Sequence, residues 1–425
     1  MIALPFSAPL LAASLEGIAV LGCVQAAAGA MVVGRFRSRM RTPGQAAAPD
    51  AELPAISVLK PLYGDEPMLE QALLGFVTQD YPRLQIVFGV QSASDPAIAV
   101  VQRLRRRFPD RDLCLVIDAT QHGQNRKIGN LINMLPHALH DLLVISDSDI
   151  HVAPDYLRQV ACSFAAGRDV GLVTTLYHGI PASPSLSRRL AAGQINHSFM
   201  PGVLLSRLLG RQDCLGSTMA LKRDILEAIG GLQALSAHVA DDSVLGKLVR
   251  EQGRTIAIAP SLTATTIADS GAADLFAHEL RWGRTVRAVE PLGYALSAVQ
   301  FPLFWASLAL AAAPQAGWTW ILFAVIWAFR GAVAARIDRL IDIMGHDREA
   351  EGGRDGIPFL LLPMRDWLSA VVMAASFTGR RVAWRGQMLH VSGWSPSRRA
   401  PEAIEPHPIS HALLAHAHQT LAQGD

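Results

Sequence analysis

Two aspartates separated by one residue, Asp147 and Asp149, directly follow the apolar run Leu142–Ser146. Side chains two positions apart on an extended segment point to the same side of the chain. Two carboxylates that converge there can bind a hard divalent cation through oxygen, and such a cation can neutralise a departing diphosphate. A solvated turn or a helix cap would use the same residues, so the pair by itself leaves both interpretations open.

Other charged groups stand where apolar runs end or helices begin. Asp95 starts an Asp-Pro dipeptide, which suits a ligand contact or a simple turn. Lys127 lies in the first turn of a predicted helix, where it could contact a diphosphate or remain solvated. Asp241 and Asp242 open a further helix, which either carboxylate could cap.

The elements that must position these groups alternate between residues 53 and 250. Apolar strand-like runs alternating with amphipathic helices predict a largely parallel sheet covered by helices on both faces. Ligands of such sheets bind beyond the carboxyl ends of the strands, where several of these polar groups lie. The predicted strands are Ile56–Leu59, Gln85–Val90, Leu113–Ile117, Leu142–Ser146, Val170–Thr175 and Leu215–Leu221, and the predicted helices are Met68–Thr78, Ala97–Phe108 and Lys127–Ala138.

The bulk composition narrows the class of protein. The chain has 425 residues, of which 50% are hydrophobic and 17% are charged, below the usual quarter. A net charge of +2 provides no basic field, so we expect no nucleic acid partner. The four cysteines form no CxxC pair, which favours a reduced, cytoplasm-facing body.

The N-terminal apolar run Pro9–Val33 is long enough to cross a bilayer. A cleaved signal peptide would need a basic start, and the first basic residue is Arg35. Four arginines within residues 35–41 indicate the cytoplasmic side of a membrane anchor. The Pro/Ala/Gln-rich segment Thr42–Pro54 reads as a linker, and a buried soluble helix remains the alternative for the apolar run.

A second apolar region follows Pro291. Tyr294–Ala313 and Trp318–Ala335 are candidate spans joined by four residues, which favours an antiparallel helical hairpin. Ile357–Phe377 contains Arg365 and Asp366, which we expect to face protein or water because charges are costly in lipid.

The positive-inside tendency bears on the third apolar stretch. If Ile357–Phe377 crossed the bilayer fully, the arginines that follow it would lie outside, so an interfacial or re-entrant helix is preferred. Trp367 would suit the headgroup layer. Residues 400–425 carry four histidines that could bind a metal, but a solvated tail is the simpler interpretation.

Several motifs in register give the chain a family resemblance. LKPLYGDEP, DPAI, NRKIGN, DSD, ADD and RW occur in this order between Ser57 and Arg284. Together they resemble membrane-bound GT-A glycosyltransferases, and most closely family 21, the ceramide glucosyltransferase-like family, which includes the bacterial glycosyltransferase of hopanoid biosynthesis. The resemblance implies an α/β fold with a GT-A nucleotide-diphospho-sugar transferase domain, a mostly parallel sheet, and N-terminal and C-terminal membrane helices.

The resemblance also implies roles for individual residues. Asp242 matches the general base that takes a proton from the acceptor hydroxyl. Asp147 and Asp149 match the aspartates that hold Mg²⁺ or Mn²⁺. His278 stands where the family has Gln or Arg, Asp241 where it has Glu, and His197 could match a histidine of the acceptor region. The residues expected to bind the nucleotide donor are Pro61, Asp95, Lys127, Asp147, Arg281 and Trp282.

We therefore expect an enzyme that transfers a sugar from a UDP-sugar to a lipid hydroxyl with inversion. The first choice is N-acetylglucosamine onto the hopanoid bacteriohopanetetrol in the bacterial inner membrane, with the catalytic domain facing the cytoplasm. Ceramide glucosylation from UDP-glucose is the runner-up, and an inactive scaffold or lipid-binding protein is the alternative of another class. The expected division is an anchor with its basic flank (1–42), a linker (43–52), a catalytic domain (53–290), membrane helices (291–379) and a basic, then flexible tail (380–425).

Overall fold

The computed structural model describes residues 8–40, 49–344, 356–384 and 387–390. They belong to one compact unit. The strands are Ile56–Pro61 (β1), Leu84–Val90 (β2), Asp112–Ile117 (β3), Leu142–Ile145 (β4), Ile150–His151 (β5), Val170–Pro181 (β6), Met219–Lys222 (β7), Thr255–Ile267 (β8), Arg381–Trp384 (β9) and Gln387–His390 (β10). The tail histidines lie outside the described residues, as does most of the predicted linker.

Fourteen α-helices accompany the strands in these described ranges. In the α/β body, which contains the sheet, they are Leu69–Val77 (α2), Ala97–Arg107 (α3), Arg126–Met134 (α4), Tyr156–Ser163 (α5), Leu186–Gln194 (α6), Met200–Leu208 (α7), Arg223–Ala228 (α8), Asp241–Glu251 (α9) and Ala272–Val289 (α10). The apolar segments form Ala8–Met40 (α1), Pro291–Leu296 (α11), Pro302–Ala312 (α12), Gly317–Met344 (α13) and Leu362–Ser376 (α14).

The central sheet has eight strands in the order β3-β2-β1-β4-β7-β6-β8-β5. Strands β3, β2, β1 and β4 are mutually parallel, whereas β7 runs antiparallel to both of its neighbours. Because β1 lies between β2 and β4, the strand order reverses at β1, and a crevice opens beyond the carboxyl ends of β1 and β4. The expected α/β fold with a mostly parallel sheet is confirmed.

Burial explains why these runs form strands. Every residue of β1 and β4 is buried, as expected for strands covered by helices on both faces. Helix α4 begins where the side chain of Asn125 accepts a hydrogen bond from the Ile128 amide at 3.1 Å. That cap places Lys127 in the first turn, beside the carboxyl end of β4.

Three sequence expectations need correction. The strand predicted over Leu215–Leu221 is confined to β7, because Leu215 and Thr218 instead bridge across a turn. Strands β5, β8, β9 and β10 were not anticipated, and β9 and β10 pair with each other in the segment predicted as a basic, then flexible tail. The candidate span Tyr294–Ala313 is not one continuous helix, because the chain bends by 66° before Pro302, which cannot donate a helical hydrogen bond.

The apolar helices include candidates for membrane spans. Helices α1 and α13 and the run Phe359–Ser376 are long and apolar enough to cross a bilayer, and the bent pair 291–312 would add a fourth if it counts as one span. The interfacial placement of the third apolar stretch stays a prediction. These helices mark a membrane-associated protein.

The apolar helices also share a core with the α/β body. Ala30, Val33 and Phe36 of α1 pack in one cluster with Ile337 of α13. The same cluster contains Leu176 of β6 and Leu262 of β8. The sheet therefore rests directly on the ends of α1 and α13, so the two parts are positioned by apolar packing.

Candidate active site

A buried lysine lies beneath the predicted metal-binding segment. Lys60, near the end of β1, donates a hydrogen bond to the backbone carbonyl of Asp147. Its ammonium also lies 3.4 Å from Ser146 Oγ and 3.9 Å from the centre of the Phe76 ring. Burial lowers the pKa of Lys60 to about 7, although the nearby aspartates oppose this change. Lys60 therefore fixes the backbone on which Asp147 stands.

The half-exposed Asp147 side chain forms an ion pair with a buried lysine. Lys127 Nζ lies 2.7 Å from Asp147 Oδ1 and 3.0 Å from Asp241 Oδ2. Lys127 is 8% exposed, so the solvated alternative for this lysine is wrong. Burial acts to lower the pKa of Lys127, but the two carboxylates outweigh it and raise the pKa above its usual range. The lysine is a fixed cation next to Asp147.

Asp149 is held by β8. Its Oδ2 accepts a hydrogen bond from Thr265 Oγ1 at 2.7 Å, and its carbonyl accepts one from the Thr266 amide at 3.1 Å. Burial and the neighbouring Asp147 raise the pKa of Asp149. The chain turns at Asp149 rather than continuing as an extended segment, so the same-side argument from strand alternation is wrong here.

Asp242 lies close to the same space as Asp147. The Gly216 amide donates to Asp242 Oδ2 at 3.1 Å, and the Ser243 amide donates to Asp242 Oδ1 at 2.7 Å. A methyl group placed on Gly216 would lie 3.3 Å from Asp242 Oδ2 and 3.6 Å from Asp147 Oδ2. The two carboxylates therefore both border the volume that a side chain at residue 216 would occupy, and this volume is their common space.

The protonation of Asp242 suits a base. Burial and the adjacent Asp241 raise the pKa of Asp242 to about 6, so that it is ionised at neutral pH yet basic enough to take a proton. The capping alternative for these residues is wrong, since Ala240 precedes α9 and no side chain caps the helix. Both carboxylates lie in the first turn, where the helix dipole favours negative charge.

Asp95 and Pro61 organise the neighbouring strand ends. Asp95 accepts hydrogen bonds from the Gly64 amide at 3.0 and 3.1 Å and from the Ala97 amide at 2.9 Å. Pro61 is the buried last residue of β1. Asp95 thus joins the loop after β1 to the start of α3, and nucleotide binding by either residue stays a prediction.

Arg281 and Trp282 lie on α10, which leads into the apolar region. The Trp282 ring meets the His278 ring edge-to-face with centroids 4.5 Å apart, and His278 Nδ1 lies 3.1 Å from Asp269 Oδ1. Trp282 also packs against an apolar cluster that contains Leu190. Donor or acceptor contacts by Arg281 and Trp282 stay predictions.

His197 lies on the side of the apolar helices. Its Nε2 is 2.6 Å from Asp338 Oδ1 on α13. It lines a cavity of about 20 Å³ together with Gln25, Gln300 and Arg330, room for about one water molecule. Nothing in the described contacts assigns His197 to an acceptor.

The donor set suits a hard divalent cation. Asp147 and Asp149 offer carboxylate oxygens, and Gly216 leaves open space beside Asp147. Within the described ranges no group of three or more His, Cys, Asp or Glu residues could hold a metal by itself. Oxygens of a diphosphate would have to complete the coordination shell.

Among the site residues, Gly216 and Thr265 escaped the sequence reasoning. Gly216 stands in an ordinary-looking Leu-Gly-Ser-Thr stretch, and Thr265 lies in a strand that was not anticipated. Their partners Asp242 and Asp149 are 26 and 116 residues away in the chain, so periodicity carries no signal for them.

The sheet, its switch point and the apolar helices together define a membrane-associated protein with a GT-A-like transferase fold. The family model described as Glycosyl transferase family 21 matches residues 18–395, and the chain belongs to that family.

The chain is also similar to individual proteins. It is 26% identical over 243 residues to ceramide glucosyltransferase 1 of Caenorhabditis elegans, covering 56% of this chain and 50% of that protein. It is 28% identical over 120 residues to a ceramide glucosyltransferase of Candida albicans, covering 25% and 22% respectively. The chain therefore spans half or less of the length of these relatives.

Solved structures give a weaker likeness. A mannosyltransferase from Pyrobaculum calidifontis in complex with GDP-Man and Mn²⁺ superposes with a TM-score of 0.45 and 20% identity, covering 86% of this chain and 98% of that one. Staphylococcus aureus TarS in complex with UDP-GlcNAc gives a TM-score of 0.37 and 13% identity, covering 82% and 97%. Similarity at this level assigns no residue or substrate.

Proposed function

We propose that this protein transfers a sugar from a nucleotide-diphospho-sugar, a UDP-sugar, to a hydroxyl group of a membrane lipid with inversion. The observation that carries the proposal is the common space faced by Asp147 and Asp242 at Gly216, with Lys127 paired to Asp147. Asp147, which is proposed to act on the donor, and Asp242, the proposed base, therefore lie close together near the switch point of the sheet.

One base is enough for this reaction. Asp242 takes the proton of the acceptor hydroxyl as the acceptor oxygen bonds to the anomeric carbon and the bond from that carbon to the diphosphate breaks. The electron pair of the broken bond leaves with UDP. With no covalent intermediate, the configuration at the anomeric carbon inverts.

The donor side uses the remaining charged groups. Lys127 contributes a positive charge for the diphosphate, and Arg281 would add a second cation if α10 reaches the donor. A divalent metal, Mg²⁺ or Mn²⁺, held by Asp147 and Asp149 would supply Lewis-acid neutralisation of the leaving group. Asp95 and Pro61 would lie beside the nucleoside of the donor, and Trp282 would lie beside the acceptor.

The acceptor would approach from the apolar helices, because α1 and α13 pack directly against the sheet. We propose a hopanoid acceptor with UDP-N-acetylglucosamine in a bacterial inner membrane, the body facing the cytoplasm. Ceramide with UDP-glucose is the second candidate, favoured by the names of the relatives in Caenorhabditis elegans and Candida albicans.

The test uses the full chain in lipid nanodiscs with labelled UDP-N-acetylglucosamine or UDP-glucose, each offered bacteriohopanetetrol or ceramide. Labelled lipid only in the reaction of UDP-N-acetylglucosamine with bacteriohopanetetrol supports the first pair. Labelled lipid only in the reaction of UDP-glucose with ceramide replaces it with the second. Asp242→Asn should abolish transfer while UDP binding survives, and the exposed Asp110→Asn is the matched control. Equal transfer by both variants would contradict the assigned base, and no transfer in any arm would favour an inactive scaffold or lipid-binding protein.

A further inference from the structure

Helix α14 carries two adjacent charged residues, Arg365 and Asp366, near its start inside an otherwise apolar sequence. Arg365 and Asp366 are each 2% exposed. Buried ionisable groups in such a segment require specific partners, because desolvation of an unpaired charge is costly. The partners of the two residues lie in different parts of the protein.

Arg365 faces the α/β body. Its two terminal nitrogens bind the two carboxylate oxygens of Glu279 on α10 at 2.7 and 2.6 Å, a bidentate pair. It also donates to the Leu190 carbonyl of α6 at 3.1 Å and to Ser369 Oγ at 2.9 and 3.2 Å. Ser369 in turn donates to Gln194 at 3.0 Å. The guanidinium is thus fully engaged between α14, α10 and α6.

Asp366 faces the apolar helices. Its Oδ2 accepts a hydrogen bond from the Leu303 amide at 3.0 Å, one of the amides at the start of α12 that no helical carbonyl can satisfy. Its Oδ1 lies 4.0 Å from Arg330 on α13. Two adjacent residues therefore join the helix bundle on one side and α10 on the other.

The position of Glu279 on α10 gives this junction a consequence. The buried residues of α10 are Leu275, Glu279 and Gly283, a stripe with a spacing of four. At 3.6 residues per turn, Arg281 lies about 160° around the helix from Glu279. The Arg365 clamp therefore sets the rotation of α10, and with it the direction in which Arg281 points.

We propose that Arg365 is a positioning residue for the proposed transfer reaction, and that the Arg365–Glu279 pair, anchored in the apolar helices, orients Arg281 toward the donor and Trp282 toward the acceptor. The inference rests on the proposed function. Loss of the pair lets α10 rotate or shift, and a displacement of about 1 Å in a group that positions the substrate can lower turnover about 100-fold.

The experiment compares Arg365→Lys and Glu279→Gln with the parent in nanodiscs. Lysine keeps the charge but lacks the planar fork, and glutamine keeps the shape but lacks the charge. We expect kcat to fall about 10- to 100-fold and the dissociation constant of UDP to rise by a smaller factor, because Lys127 still contacts the diphosphate when Arg281 is displaced. The control is Arg158→Met, which removes ion pairs with the exposed Asp50 and Asp80 and should leave kcat unchanged.

Hydrogen exchange of α10 gives a readout that does not depend on transfer activity. Amides of Ala272–Val289 should exchange at least tenfold faster in Arg365→Lys, with those of β1 and β4 unchanged. Uniformly faster exchange across the sheet would mean a general stability role and would overturn the inference, as would a normal kcat in both variants. If the parent transfers no sugar, the proposed function fails. Faster hydrogen exchange confined to α10 in Arg365→Lys would still show that Arg365 holds that helix, and unchanged exchange would show that it does not.

Discussion

Gly216→Ala offers the sharpest test of the common space at the active site. The added methyl carbon would lie 3.3 Å from Asp242 Oδ2 and 3.6 Å from Asp147 Oδ2. A hydroxyl that gives its proton to Asp242 must come within about 2.6–3.2 Å of that carboxylate, so the methyl group and the acceptor compete for one volume. Displacing the acceptor by about 1 Å would cost about 100-fold in turnover, or about 2.7 kcal/mol of transition-state stabilisation.

The same substitution should leave folding intact. Gly216 does not have a positive φ angle, and its amide can still donate to Asp242 in the alanine variant. The methyl carbon would be tight against Asp242 Oδ2 at 3.3 Å, so that carboxylate would have to shift by a few tenths of an ångström. This cost offsets the gain of about 0.4–1 kcal/mol that glycine-to-alanine replacement brings by reducing the freedom of the unfolded chain. We therefore expect a midpoint of thermal unfolding close to that of the parent.

The assay is transfer of labelled sugar to lipid in nanodiscs, run beside thermal unfolding. Gly17→Ala on α1 is the matched control, because no atom lies within 4 Å of the methyl group it would add. A Gly216→Ala enzyme with normal turnover would refute the idea that the acceptor or the donor occupies this space. A large loss of stability would mean that packing around Gly216, rather than substrate exclusion, explains any loss of activity.

Three further predictions concern charge and hydrogen bonding in the site. Because the pKa of Asp242 is raised to about 6, the group is protonated below that pH, and kcat/KM should fall about fivefold as the pH drops from 6 to 5 and approach a tenfold fall per unit below that; a flat profile there would contradict the base role. Lys127→Met should weaken UDP binding yet strengthen binding of Mn²⁺ alone, since it removes the cation paired with Asp147, and titration calorimetry would measure both; weaker Mn²⁺ binding would contradict this. Thr265→Val should raise the half-saturating Mn²⁺ concentration about tenfold by releasing Asp149, and an unchanged value would mean that Asp149 does not bind metal.

Local sequence patterns were sufficient for much of the architecture. Strands β1, β2, β3 and β4 lie within about two residues of their predicted ends, because each is a short apolar run bounded by polar residues. The same patterning found α1 and α13. It missed β5, which has two residues, and β8, whose C-terminal part is rich in threonine rather than in large apolar residues, and it also missed the paired strands β9 and β10.

By itself, the sequence determined the fold class, the apolar helices and the acidic residues that stand at strand and helix ends. Those features follow from hydrophobic periodicity and from motifs a few residues long, which neighbouring positions encode. Only the tertiary structure decided that Lys127 links Asp147 to Asp241 and that Arg365 reaches Glu279 across 86 residues of chain. A buried charge is stable only beside its partner, and which partner it meets depends on how the sheet and the helices pack.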